Sequence, residues 1–461
     1  MPATNFLQVA RMTRVTYDLA RGRRLPVTAA LFAAVALAAC DRVTDPLLEF
    51  RDPDIIDPAD VRTPEGADAL RQGAFGRLHT MTSGGESVVL LGGLLGDEFR
   101  SGDTFIQRNE TDQRSIDTTN SFMVTAARQL FRTHVLANFA LKALREFKPT
   151  PRDLQGQMFF VRGFAENMAA ESFCSGIPFS DASQEPVVYG EALTTEEVLV
   201  KAQESADSAI TNLPDTVRFR QAAQVLKARV LLNRAQYDSA RIVASAVPLA
   251  HQYSTVHTTK GPNQIWALNN SIRRYVVADN EGTNGLPFVS ANDPRLPTRI
   301  SSSPDSTRDF EGRTGMVFNL KYPAETSPVV MTSGLEAKLI IAEALLAAGN
   351  ATWLDTLNAL RARPPAYTNV TNPLPPLADP GTANGRVDLL FRERAFWMWG
   401  TGHRLGDMRR LIRQYRRPQN TVFPIGTFKN GGPYGTDVTL PITAAERNNP
   451  KYTAVCVKSQ A

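Results

Sequence analysis

The chain has 461 residues, 43% hydrophobic and 21% charged, with Gly and Pro at 30 each. That is an ordinary globular composition, slightly loop-rich and long enough to bury a sizeable core. The net charge of +5 is misleading, because residues 1–40 hold five Arg against one Asp and leave only +1 on residues 41–461; a nearly neutral body lacks the electrostatic footprint of a nucleic-acid partner.

The front segment reads as an export signal. Arg21, Arg23 and Arg24 precede the apolar run Leu25–Ala36, and Leu37-Ala38-Ala39-Cys40 follows. A basic start, a short apolar run and small residues before a cleavage point define a signal peptide over 1–39. The run is shorter than the about 20 residues that span a bilayer. Cys directly after Leu-Ala-Ala matches the lipobox of bacterial lipoproteins, so Cys40 is the expected lipidation site. Acyl chains, at roughly 0.8 kcal/mol per buried CH₂, would hold the chain on a membrane. The competing reading is an ordinary signal peptide with an incidental Cys. Either Met1 or Met12 can serve as the start. Of the other two thiols, Cys174 and Cys456 form an even pair for an oxidising compartment. A bridge would tie the tail to the first half of the chain; the alternative is two separate buried thiols.

Residues 40–60, rich in Asp and Pro, read as an extended tether. Asp52, Asp54, Asp57 and Asp60 lack the spacing of a calcium loop and read as solvated acids. Thr63-Pro64-Glu65 opens a helix running to about His79. A Gly-rich stretch follows, without the Gly-Lys-Ser/Thr of a phosphate loop. Helical stripes then predict helices over 120–147, 158–173 and 195–212, the last opened by Thr194 and closed before Pro214.

Residues 222–247 carry Ala228, Leu231, Ala235, Tyr237, Ala240 and Ala244 where a tetratricopeptide helix pair places its packing residues. Residues 335–363 repeat the pattern, with Ala342, Leu345 and Gly349 on the first helix and Leu354, Leu357 and Leu360 on the second. Two imperfect copies predict a mainly α fold, an α-solenoid scaffold with helices over about 63–248 and 335–416. The stretch 250–330 reads as a loop-rich insertion, 364–385 as a Pro-rich loop, and 418–461 as a turn-rich tail. Helices striped by Leu390, Phe391 and Met398, and by Leu405, Met408 and Ile412, lie between.

The sequence resembles the SusD/RagB family of outer-membrane nutrient-uptake lipoproteins. The resemblance is carried by the Arg/Glu-rich segment from Arg386, then Gly402-His403-Arg404, then Asp407 and Arg410. It is extended by Leu339–Leu346 with Gly349-Asn350, by Asp293-Pro294-Arg295, by Arg162-Gly163-Phe164-Ala165 with Gly176-Ile177-Pro178, and by the lipobox. It implies four tetratricopeptide-like helix pairs supporting an irregular half. It also implies a lipid-anchored protein facing out from the outer membrane, which binds an oligosaccharide or other nutrient and delivers it to a TonB-dependent SusC-like transporter.

Read by themselves, Trp397 and Trp399 are expected in the core, Arg394 is expected to need an acid such as Asp407, and the six Arg from Arg404 to Arg417 are expected on a solvated helix end. Trp266, Tyr275, Phe288 and Phe310 lie in the loop-rich stretch and are the candidate sugar platforms, each with local core as the competing reading. The five His form no His-Glu-x-x-His, there is no Cys-x-x-Cys, no Gly-x-Ser-x-Gly and no dinucleotide fingerprint. No cofactor, metal site or catalytic residue is therefore expected, and Asp97/Glu98 read as a surface acid pair. A membrane-anchored adaptor that binds only protein partners is the other functional class.

Overall fold

The computed structural model describes residues 61–182, 186–215, 218–301, 307–453 and 456–461. The signal peptide, Cys40 and the tether lie outside the described residues. Helix α1 (Pro64–Ser83) begins as the sequence dictates: Pro64 stands in the first turn, and the Thr63 side chain accepts from the Gly66 amide at 2.9 Å. Val88–Leu95 forms helix α2, and every residue of it is buried. Glycine costs helix propensity, but an all-apolar turn inside a core gains more from burial.

Strand β1 (Phe99–Ser101) and helix α3 (Ile106–Asp112) lead to the long α4 (Ser121–Phe147). Then come α5 (Asp153–Ser172), the short strands β2 (Ile177–Pro178) and β3 (Ala192–Leu193), and α6 (Thr195–Asn212). Helix α6 opens with a complete capping box between Thr194 and Glu197, which satisfies two otherwise orphaned amides. Next follow α7 (Arg218–Asn233) and α8 (Tyr237–Ser245). The loop-rich stretch holds β4 (Gln252–Ser254), α9 (Gln264–Trp266) running into a π turn, β5 (Tyr275–Val277), β6 (Thr298–Ile300), β7 (Val317–Asn319) and β8 (Val330–Ser333). The chain returns to helix with α10 (Gly334–Ala347), α11 (Thr352–Ala362), α12 (Ala383–Trp397) and α13 (Arg404–Arg413), then the short α14 (Gln419–Val422).

Among the described residues, four helix pairs stack in order: α1 on α4, α5 on α6, α7 on α8, and α10 on α11. Contacts of α4 with α5, α6 with α7 and α8 with α10 join each pair to the next. The fold is mainly helical and of the tetratricopeptide type. Both repeats recognised in sequence end their first helix the same way. Gln236 N–H reaches Leu231 O and Ala235 N–H reaches Leu232 O; Asn350 N–H reaches Leu345 O and Gly349 N–H reaches Leu346 O. These are paired Schellman closures. They place Ala235 at φ 55° and Gly349 at φ 68°.

The irregular half is held by two-stranded antiparallel pairs: β1 with β5, β2 with β3, β4 with β8, and β6 with β7. Cys174 and Cys456 are disulfide-bonded, with Cα atoms 5.5 Å apart. The tail thereby lies against the end of α5, where Cys174 N–H also donates to Leu440 O at 3.0 Å. No described helix is long and apolar enough to cross a membrane.

Candidate functional site

Pairing of β1 with β5 sets Ser101 opposite Tyr275. The chain leaves β1 at Gly102, whose amide donates to Arg274 O at 2.9 Å, and Gly102 O in turn accepts from Glu311 N–H at 2.8 Å. A Cβ on Gly102 would sit 2.7 Å from Asp309 Cβ and 2.9 Å from Val276 Cγ2. Only glycine lets the 309–311 loop approach this closely. Phe310 N–H donates to Arg273 O at 3.0 Å, which fixes the Phe310 ring over its neighbour Arg274.

The result is a stacked layer open to solvent. The Arg274 guanidinium lies 4.2 Å from the centroid of Phe310 and 4.5 Å from that of Phe105. Phe310 is 42% exposed and Phe105 45%. Each such cation–π contact contributes about 0.5–2 kcal/mol and holds the rings in place. Phe122 packs against Phe105 with centroids 6.2 Å apart. Beneath, the buried Arg108 lies 4.7 Å from the Phe122 ring and 5.3 Å from the Tyr275 ring. Arg108 bonds to both Asp103 and Glu86. Asp103 also pairs with Arg274 at 3.4 Å, and Tyr275 O–H donates to Glu86 Oε2 at 3.1 Å. Burial raises the Glu86 carboxyl above its usual range, and Arg108 opposes that shift. The platform presents rigid apolar faces beside fixed charged donors. That combination suits a ligand with a flat apolar face and hydrogen-bonding edges.

The four residues singled out in sequence meet different fates. Phe310 belongs to the platform. Tyr275 is fully buried and supports it from below, so it offers no face to a ligand. Phe288 is also fully buried, packed on Phe396 with centroids 5.9 Å apart. Both are corrected from platform to core: strand β5 and the contact with α12 bury apolar rings that their loop-like sequence context suggested were free. Trp266 is half-buried against the main core. Phe105 was missed. Its signal was available: an apolar pair, Phe105-Ile106, in polar surroundings with no helical stripe to bury it.

Charges read as superficial also prove internal. Asp97 and Glu98, expected on a surface loop, are buried, and Asp97 receives both the Nε (2.6 Å) and an amino group (2.8 Å) of Arg404. Burial pushes the Glu98 carboxyl up to about 7, although Gly400 N–H donates to it at 2.8 Å. Arg404, Arg409 and Arg410 are buried too, which corrects the reading of a solvated helix end. Arg394 grips Asp407 through two bonds of 2.9 Å, as its apolar setting demanded. Asp407 also receives Arg410 at 2.7 Å, and Arg410 bonds to Glu343 on α10. Arg229 binds Glu171 at 2.7 Å, and Arg295 and Arg361 share Glu393 at 2.7 and 2.8 Å. The Asp-Pro-Arg turn and the Gly-His-Arg segment are thus the ends of buried ion pairs. Trp397 and Trp399 are core residues.

A cavity of about 280 Å³ opens elsewhere, lined by Lys321, Tyr322, Tyr367, Trp397 and Thr401. Burial lowers the Lys321 ammonium to about 8, and Tyr322 O–H is committed to Gly400 O at 2.9 Å. Its volume falls below the roughly 300 Å³ at which enclosed sites begin to hold drug-sized ligands. Among the described residues, no group of three or more His, Cys, Asp or Glu could hold a metal ion.

No family model and no curated protein matches the sequence. Solved structures do resemble it. A SusD-like carbohydrate-binding protein from Bacteroides fragilis NCTC 9343 superposes with a TM-score of 0.63 at 15% identity, covering 85% of this chain and 100% of its own. A SusD/RagB family protein from Bacteroides thetaiotaomicron VPI-5482 gives 0.63 at 15% identity, over 84% and 95%. A SusD-like carbohydrate-binding protein from Bacteroides vulgatus ATCC 8482 gives 0.60 at 14% identity, over 86% and 93%. The stacked helix pairs, the irregular half they carry and these superpositions agree: this chain has the SusD fold.

Proposed function

We propose that this protein binds an oligosaccharide on the platform of Phe105, Arg274 and Phe310, as a non-catalytic lipoprotein anchored through Cys40. The observation that carries the reading is the clamped guanidinium between two half-exposed rings. Sugar rings have apolar C–H faces that stack on such surfaces and hydroxyl edges that take charged donors. An open platform also admits a chain of sugars. Structures of the same fold that are described as carbohydrate-binding support this class of ligand. The lipobox at Cys40 supports a membrane-anchored role, with delivery to a SusC-like TonB-dependent transporter as the next step.

The test is a glycan array followed by calorimetry on the hit. Phe310→Ala and Phe105→Ala should each weaken binding by about 1–3 kcal/mol, roughly five- to 150-fold, with the far-UV spectrum unchanged. Unaltered affinity in both variants would remove the platform from the proposal. Incubation of the hit with purified protein should leave it uncleaved. A barrel transporter should co-purify from membranes, and Cys40→Ala should release the protein into the soluble fraction. Transporter capture with no saccharide bound would favour the adaptor reading instead.

A further inference from the structure

Most buried guanidinium groups of this core have a carboxylate partner; the exceptions include Arg114, which donates to the backbone carbonyls of Asp437 and Pro424, and two arginines on α13, the buried Arg409 and the half-buried Arg413. Arg409 is 1% exposed, and its guanidinium donates to Ala170 O at 2.7 Å. Arg413, one turn further along, lies on the same face. Among the described residues neither forms an ion pair, and the Nε atoms of both are buried without a partner. The two therefore bring like charges together in a poorly solvated place, which is costly unless a counter-charge arrives. Burial and the Arg413 charge both press the Arg409 guanidinium well below its ordinary range, with Glu171 opposing.

Both arginines line a pocket of about 290 Å³, which also contains Ser175, Thr194, Thr195 and Glu196. This is the N-terminus of α6, a helix of 18 residues, whose positive dipole end favours an anion. The C-terminal Ala461 also borders the pocket, but among the described residues its carboxylate forms no ion pair with either arginine, and the side-chain acids nearby are already engaged. Glu196 accepts from Arg234 at 2.7 Å, Glu197 closes the capping box, and Glu171 is held by Arg229. Thr195 N–H donates to Ser175 Oγ at 3.3 Å, which holds the pocket wall to the helix start.

We propose that this pocket binds a tetrahedral oxyanion, a phosphate or sulfate group, on the guanidinium groups of Arg409 and Arg413, beside the positive dipole end of α6. A guanidinium presents a planar fork that fits two oxygens of such a group. Two guanidinium groups lining one pocket call for an anion with more than two oxygens, which a carboxylate does not supply. The site is separate from the aromatic platform, so it stands or falls independently of the proposed saccharide binding.

Calorimetry of the folded protein against sodium phosphate and sodium sulfate, at constant ionic strength with chloride as control, tests the proposal. Saturable binding and a rise in Tm are expected, and Arg413→Gln should weaken binding at least about tenfold. Arg413 is chosen because it is less buried than Arg409, and Arg413→Lys should retain part of the affinity. Phe310→Ala should leave anion binding unchanged. Two further arms, glucose 6-phosphate and a sulfated disaccharide, distinguish a free ion from an anionic substituent on a sugar; tighter binding of an ester than of the free ion assigns the substituent. Absence of binding in every arm at millimolar anion, or equal affinity in Arg413→Gln, overturns the site.

Discussion

At the scale of single residues, Glu98 shows how burial becomes a measurable pH response. Its folded pKa of about 7 exceeds the ordinary 4.5 because burial disfavours the carboxylate. Between those values the folded protein holds a proton that the unfolded chain has lost. Stability from this group is therefore present below about 4.5 and declines as pH rises through about 7. Glu98→Gln should flatten that decline, read as Tm across this window for both proteins; parallel curves would show that Glu98 is not the group responsible. The sequence revealed Glu98 as an acid but not its burial, because its paired neighbour Asp97 meets Arg404 across about 300 residues of chain, a separation of 307. Arg394 with Asp407 was legible because the two lie 13 residues apart on adjacent helices. Tyr275 and Phe288 misled for the same reason as Glu98. Their burial is produced by long-range strand pairing and by α12, neither of which leaves a local pattern.

At the scale of elements, helix signals were read well wherever an amphipathic stripe coincided with a cap. The capping box of α6 and the Thr63-Pro64 start of α1 are examples. The fully apolar α2 escaped, because a helix buried on every side has no polar face to reveal a period. The two repeat turns permit a direct comparison. Gly349 adopts φ 68° without a Cβ, whereas Ala235 adopts φ 55° with one, in an otherwise equivalent closure. Left-handed backbone costs a non-glycine residue about 1–2 kcal/mol. Part of the gain from glycine is offset by extra freedom in the unfolded chain. Ala235→Gly should therefore raise the unfolding free energy by about 0.5–1 kcal/mol, seen as a higher denaturant midpoint at constant slope. A lower midpoint would mean that the exposed turn carries no strain.

At the scale of the whole molecule, the disulfide joins positions 282 residues apart. Closing so long a loop restricts the unfolded ensemble far more than the folded one. Cys174→Ser with Cys456→Ser should lower stability by about 2–5 kcal/mol, measured by equilibrium unfolding. Equal stability of the oxidised protein and the double variant would refute that. The helical scaffold was legible from two repeats because its order depends on neighbouring segments. The platform was half legible: Phe310 stood out by its loop setting, but its partnership with Phe105 and Arg274 depends on Gly102 and on strand pairing across the chain.

The buried ion pairs bear on how this scaffold can move. Carboxylates of α5, α10 and α12 each meet an arginine of another helix, Glu171 with Arg229, Glu343 with Arg410, and Glu393 with Arg361. Sliding one helix past its partner by a single turn, about 5.4 Å, would part the charges that join those two helices. Hydrophobic side chains tolerate small slips, because one methyl group replaces another; these pairs do not. The helical layer is therefore indexed like the teeth of a gear, and any rearrangement of the molecule has to take place in the strands and loops that ride on it.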